Sequence, residues 1–186
     1  PFETLIATIL SAQCTDKRVN MVTEKLFSAY PDARAMITLS QEQLEPMIRE
    51  CGLYHNKAKN ILAACRALVD EYDGQVPSTR EQLMKLPGVG QKTAGVVLLA
   101  AFGDDQIPVD THVFRVSNRI GLAHASTPDK VEQQLRAQLP KERWSHAHHL
   151  LIWHGRRCCH AIKPACDRCP LRDKLCETMA NMDKGN

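Results

Sequence analysis

No apolar stretch in this chain reaches the roughly 18 to 20 residues that a membrane span requires. The longest run, Ala94 to Phe102, is interrupted by Gly95. The sequence is therefore predicted to be soluble, with no membrane partner. It also lacks a strong charge of either sign: the net charge is +3, too small to establish a polyanion partner, so any argument for one must come from local clustering. Internal repeats, low-complexity tracts and obvious linkers are missing, and patterns that would suit strands are almost absent. The chain opens at Pro1 rather than at methionine, so no targeting expectation rests on this terminus.

What is present is a helical periodicity. With 186 residues, 44% hydrophobic and 24% charged, the chain can form one sizeable core or two small lobes. Phe2, Leu5, Ile6, Ile9 and Leu10 recur at helical spacing behind Pro1, which suits a first helical position. Asp16 is expected to cap a second helix with Val19, Val22 and Leu26 inward. Asp32 and Ser40 should cap the next two, the latter with Gln43 as a capping box, and Pro46 should kink or shorten that helix. A longer helix follows Gly52 and carries Ala58, Ile61, Leu62, Cys65 and Leu68 until Gly74. Ser78 and Glu81 form a second candidate capping box. Beyond Gly103 come a stripe of Val109, Val113, Val116 and Ile120, a helix opened by Thr127 and Pro128, and a last long segment around Trp144 to Trp153. The composition turns polar at residues 103 to 108, where a division into lobes is expected.

Three groups of residues carry chemistry. Leu86-Pro87-Gly88-Val89-Gly90, followed by Gln91-Lys92-Thr93-Ala94, has the form of a helix–hairpin–helix element. Its glycines allow a sharp turn that presents main-chain N–H groups at a helix N-terminus, where a phosphate oxygen is favoured without any reading of base sequence. A plain turn between two closely crossing helices is the alternative. Next are Lys92 and Asp110. In the first turn of a helix the dipole disfavours an ammonium, which raises the share of neutral, nucleophilic amine. An aspartate at the start of another helix places an anion that can stabilise a cationic sugar or assist proton transfer. Read alone, Lys92 serves equally as a phosphate contact and Asp110 as an N-cap.

The third group is Cys159, Cys166, Cys169 and Cys176, separated by six, two and six residues; the chain has eight cysteines in all. Four thiolates this close can face one centre and suit a cubane cluster or a tetrahedral zinc. Because only Cys166 and Cys169 form a close pair, the spacing leans towards iron–sulfur. A disulfide staple remains the third option. Cys14, Cys51 and Cys65 lie in helix-like segments and read as small buried apolar residues. Arg156, Arg157, Lys163, Arg168, Arg172 and Lys174 surround the cluster of cysteines, either as a phosphate-binding loop or as a solvated face.

In this order the motifs resemble those of endonuclease III, the bifunctional DNA glycosylase family of the helix–hairpin–helix superfamily. The resemblance covers nearly the whole chain: Pro1-Phe2-Glu3, Leu10-Ser11-Ala12-Gln13 with Thr15-Asp16, Gly52-Leu53-Tyr54, the hairpin through Lys92-Thr93-Ala94, Val109-Asp110-Thr111-His112, His154-Gly155-Arg156 and the four cysteines. It implies an all-α protein of two helical lobes with a DNA-binding cleft between them. Residues 1–104 would be a six-helix domain with the hairpin at about 79–102, and residues 105–186 the domain of a C-terminal [4Fe–4S] cluster loop, whose N-terminal helix in the family is absent from this sequence.

The implied activity is removal of oxidised pyrimidines by a Schiff base at Lys92, supported by Asp110, followed by β-elimination at the abasic site. The implied cofactor is a [4Fe–4S] cluster on Cys159, Cys166, Cys169 and Cys176. Gln13 and Leu53 would enter the duplex, while Gly88, Val89, Gly90, His112, Arg115, Lys163 and Arg168 would contact DNA. The implied setting is a monomer acting on damaged or abasic double-stranded DNA, in a bacterial-like cytoplasm or nucleoid. Alternatives are a monofunctional adenine or mismatch glycosylase, and a non-catalytic iron–sulfur DNA-binding module. Two features depart from the family pattern: the Cys169–Cys176 interval is one residue longer than the usual five, and Cys158 offers a second thiol beside Cys159.

Overall fold

In the computed structural model, which describes residues 1–172 and 175–183, every regular element is helical among the described residues. The chain divides into two compact units, Pro1–Asp104 and Asp105–Asn186. Asp173 and Lys174, the latter one of the six cations noted above, lie outside the described residues.

The first unit contains α1 (Phe2–Leu10), α2 (Asp16–Ala29), α3 (Ala33–Met36), α4 (Gln41–Ile48), α5 (Tyr54–Tyr72), α6 (Arg80–Leu83) and α7 (Gln91–Phe102). This is one helix more than the six expected, because α3 and α6 are single turns set off by their own caps. Asp32 accepts from the Ala35 N–H at 2.8 Å. Thr79, rather than Ser78, caps α6 by accepting from Gln82, and Thr15 rather than Asp16 stands at the N-cap of α2. The Ser40 capping box forms as expected, with both reciprocal bonds to Gln43. Pro46 lies inside α4, which ends at Ile48 and tightens into a 3₁₀ turn over Arg49–Cys51.

The core of this unit is the set of inward faces the periodicity marks. Leu5, Ile6 and Leu10 of α1, Leu26 of α2, Ile61 and Leu68 of α5 and Val97 of α7 are wholly buried. Each such side chain contributes roughly 1.5–3 kcal/mol. One charged residue shares that interior. Lys57 of α5 is 5% exposed, and its ammonium donates to the Leu10 carbonyl at the end of α1 and to the Cys51 carbonyl at the end of the 3₁₀ turn, both at 2.8 Å. Helix C-terminal carbonyls are the groups that most need a donor and most favour a cation. Burial lowers the Lys57 pKa, opposed by the neighbouring Cys51 and Cys14 thiols.

The second unit holds α8 (Thr111–Ile120), α9 (Pro128–Gln138), α10 (Trp144–Arg157) and α11 (Glu177–Asp183). Val113 and Val116 of α8, Val131 and Leu135 of α9 and Leu151 of α10 form its core with Ile107 and Val109. Helices α8 and α10 cross closely at Gly155. A Cβ there would come to 3.0 Å from both Cβ and Nδ1 of His112.

Candidate active site and candidate metal centre

The hairpin is the tightest piece of backbone in the first unit. Gly88 has φ +79°, and a Cβ at that position would sit 2.9 Å from the Asn60 Cβ, so conformation and space both demand glycine. Val89 is buried and anchors the loop, while Gly90 is exposed at the N-cap of α7, whose first N–H groups have no intrahelical acceptor.

Lys92 is the second residue of α7 and exposed. With Thr93 and Val96 it lines an open cavity of about 440 Å³, walled by Thr4, Thr8 and Ser11 of α1 and its end and by Asp16 and Asn20 of α2. Thr8 and Ser11 donate their hydroxyls to carbonyls of their own segment, at 2.6 and 2.7 Å. The cavity thus has hydroxyl-bearing walls, an amine at one side and a carboxylate at another. Sequence reading did not identify the walls, although Thr4, Thr8 and Ser11 recur at helical spacing on the side of α1 away from Leu5 and Ile9.

Gln13 and Leu53 share an unusual backbone. Their φ angles are +54° and +48°, the left-handed region that side-chain-bearing residues seldom enter. Both are exposed, Leu53 at 55%. Lys57 ties together the two segments that lead into them, through Leu10 and Cys51.

In the second unit Asp110 is the N-cap of α8. Its Oδ1 accepts from the His112 and Val113 N–H groups, each at 2.8 Å, which fixes the carboxylate and leaves Oδ2 outside that pair of bonds. Arg115, one turn on and half-buried, holds the end of α10: Nε and Nη2 donate to the Cys159 carbonyl at 3.1 and 3.0 Å, and Nη2 also reaches the Gly155 carbonyl and the His112 ring. His112 is half-buried beside it.

Cys158, Cys159, Cys166, Cys169 and Cys176 all line one cavity of about 280 Å³, with His154, Arg119 and otherwise largely apolar neighbours such as Ile120, Pro164 and Met179. All eight cysteines of the chain are free. Ligand atoms of His154, Cys158 and Cys169 lie within 4.8 Å of one another, and Cys169 Sγ is 3.7 Å from His154 Nε2. Burial lowers the His154 pKa, which favours the neutral ring, the form that can bind a metal. Burial likewise raises that of the Cys158 thiol, aided by Cys169. Arg119 donates to Cys159 Sγ at 3.5 Å and to the His160 and Ala161 carbonyls. The Arg119 guanidinium at the cavity's edge favours an anionic sulfur against the burial that disfavours one, and the donor set is consistent with a metal cofactor.

Around this centre Lys163 is exposed at φ +52°, Arg168 lies against the Arg157 carbonyl at 3.4 Å and Arg172 pairs with Asp167 at 2.9 Å. Arg156 and Arg157 flank the exposed Trp153 ring. No helix among the described residues is long and apolar enough to cross a membrane.

A fold of this kind, with a glycine-turned hairpin before an exposed lysine, has a counterpart among known families. Residues 6–141 match the HhH-GPD superfamily of base excision DNA repair proteins. Endonuclease III of Rickettsia conorii is 48% identical over 182 residues, covering 97% of this chain and 86% of that protein. Endonuclease III of Escherichia coli K12 is 46% identical over 183 residues, covering 98% and 86%. A solved structure of a trapped endonuclease III–DNA covalent intermediate superposes with a TM-score of 0.90 at 49% identity, over 97% of this chain and 84% of that one. The chain belongs to the endonuclease III family.

Proposed function

We propose that this protein is a bifunctional DNA glycosylase of base-excision repair, which removes oxidised pyrimidines from double-stranded DNA and then nicks the strand at the abasic site. The observation that carries this reading is the exposed Lys92, set directly behind the Gly88 hairpin and opening on a cavity in the size range of small-ligand sites.

Each step can be assigned to a group. The N–H groups around Gly88, Val89 and Gly90, with the positive end of α7, hold a backbone phosphate. Gln13 and Leu53, already turned outward, fill the space left by the extruded nucleotide and offset lost stacking of a few kcal/mol. The Lys92 amine attacks the sugar C1′ as the bond to the base breaks, and the base leaves with a proton. Ring opening gives a Schiff base. Loss of a C2′ proton then expels the 3′ phosphate, and hydrolysis returns the free amine. Asp110, held by its two backbone bonds, supplies a fixed anion to the positive sugar. His112, Lys163 and Arg168 add contacts to DNA, with Arg115 bracing His112 from behind.

Cys159, Cys166, Cys169 and Cys176 would hold a [4Fe–4S] cluster in their shared cavity, and its role when bound is to frame the basic loop. The protein works as a monomer, in the cytoplasm or on the nucleoid of a bacterial cell.

The test is borohydride trapping on a duplex with one abasic site. The wild type should give a covalent complex and Lys92→Gln none. A wild type that releases bases without being trapped would point to a monofunctional glycosylase. Tight binding with neither base release nor cleavage would point to a non-catalytic module.

A further inference from the structure

The metal centre holds one thiol more than four-cysteine ligation uses. Adjacent residues in extended backbone send their side chains to opposite sides, yet Cys158 and Cys159 both line the same cavity. The cause lies in the end of α10. The N–H groups of Cys158 and Cys159 both donate to the His154 carbonyl, at 2.9 and 2.8 Å, and Cys158 takes φ −133°, ψ −63°. That tight double turn brings the two side chains to the same cavity. The Ala165 N–H then donates to the Cys158 carbonyl at 2.9 Å, drawing the segment that precedes Cys166 against the turn.

The two thiols have different surroundings. Cys159 is braced through its own carbonyl by Arg115 and through its sulfur by Arg119. Cys158 Sγ lies with Cys169 Sγ and the His154 ring nitrogen inside 4.8 Å, which sets it among the ligand atoms that face the cavity. The same centre has the longer Cys169–Cys176 interval, so both departures from the family pattern fall at one place.

We propose that Cys158 is a reserve ligand, able to take the coordination position of Cys159 when that residue is lost or modified. The proposal rests on the cluster reading above. Exchange requires no electron: the Cys158 thiol gives up its proton as its sulfur binds iron, and that proton goes to an unmodified departing Cys159 thiolate or, where Cys159 is alkylated and leaves as a neutral thioether, to solvent, so one thiolate replaces another and the charge of the centre is unchanged. Such a reserve lets a cluster survive oxidation or alkylation of one ligand.

The experiment uses the full chain purified without oxygen, reading iron per chain and visible absorbance. Wild type and Cys158→Ser should each hold about four irons, the number in one cubane. Cys159→Ser should keep most of that iron with a shifted spectrum, while Cys158→Ser/Cys159→Ser should lose nearly all of it. Alkylation followed by peptide mass spectrometry should label Cys158 in the wild type and find it protected in Cys159→Ser. If Cys159→Ser loses as much iron as the double variant while the wild type is full, the reserve role is wrong and the cluster reading stands. A wild type without iron overturns both.

A second measurement avoids the Cys159 variant altogether. Under a chelator in air, Cys158→Ser should bleach several-fold faster than wild type, because a detached iron has no second thiol to recapture it; equal rates overturn the proposal.

Discussion

Replacing Lys57 with methionine keeps most of the aliphatic stem but removes the ammonium that serves the Leu10 and Cys51 carbonyls. A buried carbonyl left without its donor costs about 1–3 kcal/mol, and two are affected. Part of this is recovered, because the wild type also carries the cost of burying a charge, seen in the lowered Lys57 pKa. A net loss of roughly 3 kcal/mol is expected, which for a chain of this size is about 6–12 °C in Tm. Thermal unfolding followed by circular dichroism at neutral pH reads it directly. Leu10 and Cys51 stand three and two residues before Gln13 and Leu53, so the loss should also loosen both turns. Affinity for a duplex with an abasic-site analogue should fall about tenfold, or 1.4 kcal/mol. A variant that melts within about 2 °C of wild type would show that the two carbonyls do not depend on Lys57.

Other outcomes follow from the same structure. Asp110→Asn keeps an oxygen for the cap and should leave stability within about 0.5 kcal/mol while strand cleavage falls by about 10²–10⁴. Asp110→Ala should add a loss of about 1 kcal/mol in stability, so cleavage and melting curves of the two variants separate anion from cap. Leu53→Ala, at a side chain 55% exposed, should not move the melting point but should weaken fluorescence signals of nucleotide flipping; unchanged flipping would remove Leu53 from the wedge. Cys65 is fully buried, and burial pushes its thiol up to about 12. In the unfolded chain the thiol ionises near 8.5, so between those pH values the folded state binds more protons and stability falls as pH rises. Cys65→Ala should therefore lose less stability than wild type between about pH 9 and 11, and parallel melting curves across that window would count against it.

What could be read before folding was local. The Ser40 box, the Asp32 and Asp110 caps, Thr127 with Pro128 and the Gly88 hairpin depend on residues within a few positions, and the structure places each where the pattern indicates. Thr79 displaced Ser78, and Thr15 displaced Asp16, because neighbouring residues compete for one cap and the chain path decides. Nothing local marks Lys57 as a buried donor, since its partner Leu10 is 47 residues away. The family resemblance gives Arg115 only as a DNA contact, and only folding brings the Cys159 carbonyl, 44 positions on, within its reach. The walls of the Lys92 cavity likewise come from α1, α2 and α7 together, which no single window of sequence displays.

Arg115 also joins two regions with different duties. One end of its side chain springs from the helix that Asp110 caps, and the other holds the peptide at Cys159. Any disturbance of the cysteine loop is thereby transmitted, through one guanidinium, to the first turn beneath the carboxylate. Loss of a metal held by that loop would then be felt at Asp110, within the same unit.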